Sequence, residues 1–177
     1  LSQVKSKTFM PGTQLQETRK MADFLITFVE QKKLFEIPPF SKEIWRIKPI
    51  KNASQKQLPY AVFFGDAMGI SYGSIEQTFD QKMAVMKDNN MLFTRIVTAH
   101  ELFPGHHLQL YMAARYKPYR SIFNTPFFVE GWGHYVELLL WEENYARDNY
   151  DKISMLYWRL LRAARVIVTL KFHLGQM

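Results

Sequence analysis

Residues 98–110 read TAHELFPGHHLQL and put His100, Glu101, His106 and His107 within one short stretch. Neutral imidazoles and carboxylates are what zinc takes as ligands, and a Glu beside a ligand His can serve as general base. Zinc peptidases carry such residues as His-Glu-x-x-His on one helix, where four residues amount to a turn of about 40° and a rise of ~6 Å. Here the fifth position is Pro104, and the next His stands six residues after His100. On an unbroken helix position 106 points about 120° away, and position 107 returns to the same face only ~10.5 Å along the axis. Pro104 has no N–H and its ring clashes with the carbonyl of His100. Gly105 permits backbone that other residues avoid. Together they can absorb the extra residues in a break, after which either His106 or His107 stands over His100. The plainer alternative is a set of ordinary polar residues at a helix end.

A catalytic zinc needs a third protein ligand beside a water. The stretch PFFVEGWGHYVE offers Glu130 behind Phe127, Phe128 and Val129. A carboxylate in apolar company needs a partner, and metal ligation would provide one. The alternative is a Glu favoured by the dipole of its own helix. Gly131 and Gly133 leave room for a helix or a substrate. His134 shares the face of Glu130, and Glu137, a turn further on, could orient a ligand His.

The elements around these residues read as mainly helical. A helix is expected from Thr13 to about Phe35, with Thr13 as N-cap, and IEQTFDQKMAVMKDNN reads as one helix or as a loop and a helix. NMLFTRIVTAHEL continues through the Pro-Gly into HHLQLYMAARY. TPFFVEGWGHYVELLLWEENYARD starts with Thr125 as N-cap and Pro126 at N1. DKISMLYWRLLRAARVIVTLKFHL is capped by Asp151. EIWRIKPI reads as an edge strand because of its Pro, and YAVFFGDAMGISYGSI as a hairpin or irregular loop. Residues 1–12 read as loop. The aromatic set Phe123, Phe127, Phe128, Trp132 and Trp141 reads as core.

Composition narrows the function classes. With 177 residues, 47% of them hydrophobic, the chain can bury a core. The absence of Cys excludes thiolate ligands and a Cys nucleophile. No apolar run approaches the ~18 residues that cross a bilayer. The net charge of +7 suits a solvated basic surface or a cleft for anionic groups, and no nucleic-acid recognition motif accompanies it. The chain reads as a fragment of a longer protein; the sequence fixes no compartment and leaves export or lipoprotein anchoring of the full form open.

The segments HELFPGHHLQ and EGWGHYVE, with looser support from FVEQKKLFEIPPF, LPYAVFFG and RAARVIVTLKFHLG, resemble a large, mainly bacterial zincin-like family still described as a domain of unknown function. It is similar in plan to thimet oligopeptidase, carboxypeptidase Taq and angiotensin-converting enzyme. The resemblance implies a mainly α, zincin-like catalytic region with a small β element, spanning residues 1–177 of a larger protein. It implies Zn2+ held by His100, His106 and Glu130, Glu101 as general base, and a peptide substrate. On the last helix, Arg159, Arg162 and Arg165 recur every three residues. They read as a solvated stripe or salt-bridge partners, or as a site for a substrate carboxylate. His173 is the expected donor to the oxyanion, with Tyr135 and Tyr157 as others. The expected activity is zinc-dependent peptide hydrolysis. The rivals are an inactive relative that binds a peptide or partner, and an iron enzyme with two His and one carboxylate.

Overall fold

The computed structural model of the chain describes residues 2–122 and 125–177. It is mainly helical with one three-stranded sheet. In chain order the elements are α1 (Ser2–Lys5), α2 (Gln14–Gln31), α3 (Ser41–Ile44), β1 (Arg46–Pro49), β2 (Ala61–Phe63), β3 (Ala67–Ile70), α4 (Phe79–Asp88), α5 (Met91–Glu101), α6 (His106–Tyr116), α7 (Pro126–Glu142) and α8 (Asn149–His173). Among the described residues, no helix is long and apolar enough to cross a membrane.

Helix α5 is the centre. Asn90 caps it, its side chain accepting from the N–H groups of Leu92 and Phe93 at 3.0 Å. Every residue from Leu92 to Glu101 is buried. Helices α2, α7 and α8 and strand β2 pack around it. A helix enclosed in this way must pair the polar groups it buries, and Thr94 and Thr98 fit because their hydroxyls bond to the carbonyls of Asn89 and Thr94. Phe93 and Val97 of α5 share one core with Ala22 and Val29 of α2, Met68 and Ile70 of β3, and Phe103.

The sheet has the order β1-β3-β2, with β1 parallel and β2 antiparallel to β3. Pro49 is tolerated because β1 lies at the edge. Gly65, at φ +85°, turns the β2–β3 hairpin. Phe63 of β2 sits against the rings of His106 and His107 at 6.4 and 6.1 Å between centroids, so the sheet backs the start of α6.

Several local expectations need correction. Residues 2–5 form a helical turn, not loop. Helix α2 stops at Gln31 because Lys33 takes a left-handed conformation (φ 54°), and Leu34 N–H closes back on the Val29 carbonyl. Thr13 precedes α2 but does not cap it; its hydroxyl donates to the Met10 carbonyl. Thr125 does cap α7, accepting from Phe128 N–H. Helix α8 is capped by Asp148, whose Oδ1 accepts from the N–H of Asp151. Phe127 and Phe128 are exposed, at 92% and 61%, so they are not core. Trp132 and Trp141 are half-buried, and Phe123 lies outside the described residues.

Asp151 has a different task. It is buried, accepts two hydrogen bonds from the Arg147 guanidinium, and lies 3.5 Å from Nε of the buried Arg95. Arg95 also donates to the Tyr145 carbonyl and stacks 4.0 Å over the Tyr145 ring. Helix α5 is thereby tied to the turn between α7 and α8. Breaking a buried pair leaves an uncompensated charge. Asp151→Asn is expected to lower the unfolding free energy by about 3 kcal/mol in urea denaturation, whereas Asp148→Asn, which keeps an N-cap acceptor, should cost much less.

Candidate metal centre

Helix α5 ends at Glu101 and α6 begins at His106. Between them Leu102 leaves the helical region (φ −112°, ψ −90°), and Leu108 N–H reaches back to the Leu102 carbonyl at 3.3 Å. The break turns α6 back so that the rings of His100 and His106 lie 4.6 Å apart between centroids. Gly105 is required there. A Cβ at that position would lie 1.8 Å from the His100 carbonyl oxygen.

The convergence selects His106, not His107. Nε2 of His107 donates to the Ser41 carbonyl at 2.8 Å, and its ring packs edge-on to Phe103. Burial holds its pKa below the ordinary imidazole value. It is a structural histidine that joins α6 to α3. His106 faces the other way, and its Nδ1 donates to Oε1 of Gln109 at 3.2 Å. The amide nitrogen of Gln109 in turn donates to the Phe128 carbonyl. The Gln orientation therefore fixes the tautomer of His106 and leaves the Nε2 lone pair free.

Helix α7 crosses α5 at Gly133. A Cβ there would lie 2.4 Å from the His100 ring, while Gly131 has open space. Trp132 donates from Nε1 to the Pro104 carbonyl at 2.9 Å, fastening α7 to the break. This crossing brings Glu130 to the two histidines. Its Oε2 lies 3.4 Å from Nε2 of His100 and its Oε1 3.7 Å from Nε2 of His106. The Glu130 side chain is 58% exposed, so it is not the buried carboxylate that its apolar neighbours suggested. Contact with two imidazoles, not burial, marks it out.

The distances test whether these residues fit a metal. Ligand atoms ~2.0–2.1 Å from a tetrahedral ion lie about 3.3 Å apart. The separations of 3.4 and 3.7 Å are close to that. Ligand atoms of His100, His106 and Glu130 all lie within 4.8 Å of one another, as do those of His100, His134 and Glu137. The first set fits better, because Nδ1 of His100 is already engaged by Oε1 of Glu137 at 2.8 Å. Glu137 thus occupies the place of a carboxylate that orients a ligand His. Its other oxygen accepts from Arg162 Nη1 of α8, so Arg162 takes the salt-bridge role that is one reading of the α8 arginines.

Charge is concentrated here. Burial opposes protonation of His100, but its hydrogen bonds with Glu130 and Glu137 outweigh it and push the pKa up to about 9. The His100 contact holds Glu130 down to about 2. Burial pushes Glu101 up to about 7, opposed by the charge on His100. Burial and Arg162 lower the pKa of His134, whose ring is 5.4 Å from that of His100.

Of the remaining expected donors, none joins the cluster. His173 is exposed in the last turn of α8, with its ring against Phe172. It stands eleven residues beyond Arg162, a rise of about 16 Å. Tyr157 lines a separate cleft with Lys5, Asp88 and Tyr60. Tyr135 is exposed and rests on Trp132. The close approach at Gly133 gives a test that needs no metal. In chelator-treated protein, NMR titration should find His100 losing its proton near pH 9. Gly133→Ala, by pushing the ring off its carboxylates, should lower that midpoint by about one unit or more, while Gly131→Ala should leave it in place.

None of the curated proteins matches the chain. A solved structure from Shewanella oneidensis, described as "a putative lipoprotein of unknown function", is similar in fold, with a TM-score of 0.68 at 23% identity. The similarity covers 89% of this chain but 29% of that one, so the chain spans less than a third of that protein's length. The kinship with zincins such as thimet oligopeptidase, expected from the two motifs, is corrected by these findings, in which no zincin or peptidase family is indicated. The family model that matches residues 6–177 is described as "Bacterial protein of unknown function (DUF885)", and the chain belongs to that family.

Proposed function

We propose that the chain is the metal-bearing region of a longer zinc-dependent hydrolase that cleaves peptide bonds. The observation that carries this reading is the approach of both Glu130 oxygens to the Nε2 atoms of His100 and His106, at 3.4 and 3.7 Å, beside the buried Glu101. His100, His106 and Glu130 would hold the ion and leave its fourth position open. Bound zinc would supply Lewis acidity toward a carbonyl and make a water acidic near neutral pH.

The rest of the chemistry belongs to the chain. Glu101, with its pKa at about 7, can take a proton at neutral pH and return it to a departing amine. Glu137 holds His100 in the tautomer that presents Nε2, and Arg162 holds Glu137. His134, whose ring is 5.4 Å from that of His100, would take the oxyanion-donor role in place of the distant His173. The same two-His-one-carboxylate set suits iron. A buried Glu next to the first ligand favours hydrolysis, which needs a base. The description of the Shewanella protein supports an exported or lipid-anchored setting for the full-length protein.

Glu101→Gln tests the reading. Cleavage of a mixed peptide library by the zinc-loaded protein should fall by about 10²–10⁴-fold, while zinc content is unchanged. Iron as the metal found after purification without additions would overturn the assignment of zinc. Zinc binding without cleavage of any peptide by the unmutated protein would overturn the hydrolase and leave a binding protein.

A further inference from the structure

Helix α8 faces the body of the molecule through Asp151, Met155, Trp158 and Arg162, all buried or half-buried. Trp158 stacks on Phe93 of α5 at 4.2 Å, and Arg162 reaches Glu137 of α7. Beyond Arg162 every residue is exposed. A second row runs along the helix roughly 130° away from the first. It consists of Leu156, Leu160, Ala163, Ile167, Leu170 and, in the closing turn, Leu174, whose N–H bonds to the Leu170 carbonyl. The spacing alternates between four and three residues, with no polar member. All six are exposed, Leu160 at 69% and Leu170 at 57%. The row from Leu161 through Val168 to Phe172 is broken by Arg165. Apolar residues every 3.5 positions over about 27 Å of helix form a seam on which a second helix packs at a shallow angle.

Charge narrows the occupant. Residues 152–177 include Lys152, Arg159, Arg162, Arg165 and Lys171 but no Asp or Glu. Arg159 and Lys171 border the stripe on its two sides, and among the described residues neither forms an ion pair. Arg159 lies over the Trp141 ring at 5.6 Å, at the rim of the open cleft between α5, α7 and α8. Charges beside an apolar seam select the helix that pairs with it. A second copy of α8 would bring the same cations and no carboxylate to meet them. A membrane surface suits a helix with one polar face, but Val168 and Phe172 are exposed on the side away from the stripe, so α8 has none. The matched region makes up 29% of the Shewanella protein, and a longer chain of that build has the residues to supply a further helix.

We propose that the stripe from Leu156 to Leu174 is the seam of a helix–helix contact, filled by an amphipathic helix with acidic flanks from the part of the longer protein outside these residues. The contact does not depend on the hydrolase reading. The experiment uses the full-length protein. Leu160→Cys and Ile167→Cys are labelled with N-ethylmaleimide beside the reference Arg165→Cys, and modification is read at each residue by mass spectrometry. The two seam positions are expected to react at least about tenfold more slowly than position 165, because a packed seam must open locally before it is labelled. Carbodiimide coupling of the unmutated protein, as a mixture of isotope-labelled and unlabelled copies, should join Lys171 to an Asp or Glu outside the present residues and within one copy. That coupling needs no substitution, so it decides the matter even where a Cys variant fails to fold. Equal labelling at the three positions, fast or slow, would overturn the proposal. So would the absence of a Lys171 cross-link, or one confined to the present residues. A cross-link between labelled and unlabelled copies would overturn it in favour of a dimer seam. Protection that arises only when phosphatidylglycerol vesicles are added would overturn it in favour of a membrane surface.

Discussion

The candidate centre depends on one interruption of one helix. Had α5 continued regularly through residue 106, the second imidazole would have pointed about 120° away from the first. Pro104 removes the N–H that would have continued the ladder, and Gly105 occupies a place where any side chain would collide with the His100 carbonyl. The consequence reaches beyond the two histidines. The Pro104 carbonyl, freed from a helical partner, accepts from Trp132, which fastens α7 across the break. That fastening presents Glu130 to both rings. Backbone groups released by a helix break must find other partners, and here the new partner lies on the element that carries Glu130.

Around this break the molecule is built for rigidity on one side and openness on the other. Helix α5 is buried on all sides, held by α2 and the sheet and tied through Arg95 to the α7–α8 turn. His106 is backed by Phe63 and His107 by Phe103. His100 and His106 each have one nitrogen assigned by a hydrogen bond, to Glu137 and to Gln109. Such partners fix the tautomer and the ring plane. Glu130 and the cleft between α5, α7 and α8 face outward instead.

Much of the local structure was legible from short-range rules. The cap at Thr125, the edge position of the strand with Pro49 and the hairpin through Gly65 follow from backbone chemistry within a few residues. The failures were also local in origin. Thr13 and Asp151 are both good capping types, but Asp148 stood closer to the α8 terminus and Asp151 was drawn to Arg95 and Arg147. Phe127 and Phe128 are apolar and were read as core, yet they lie on the outer side of α7, where the described residues offer them no partner face.

What the sequence by itself determined is the inventory of the centre: two imidazoles separated by a helix-breaking dipeptide, a Glu next to the first, and a second Glu at the start of another helix. These are matters of residue type and of spacing over one or two helical turns. Only the tertiary structure decided which of two adjacent histidines turns inward, because Ser41 on a distant helix claims His107 and Gln109 claims His106. It also placed Glu130 against both rings, joined Arg162 to Glu137, and left His173 exposed well beyond them. Those outcomes depend on where α7 and α8 cross α5. A crossing is set by side-chain volumes at the contact, here the missing Cβ of Gly133, and not by the periodicity of any one helix.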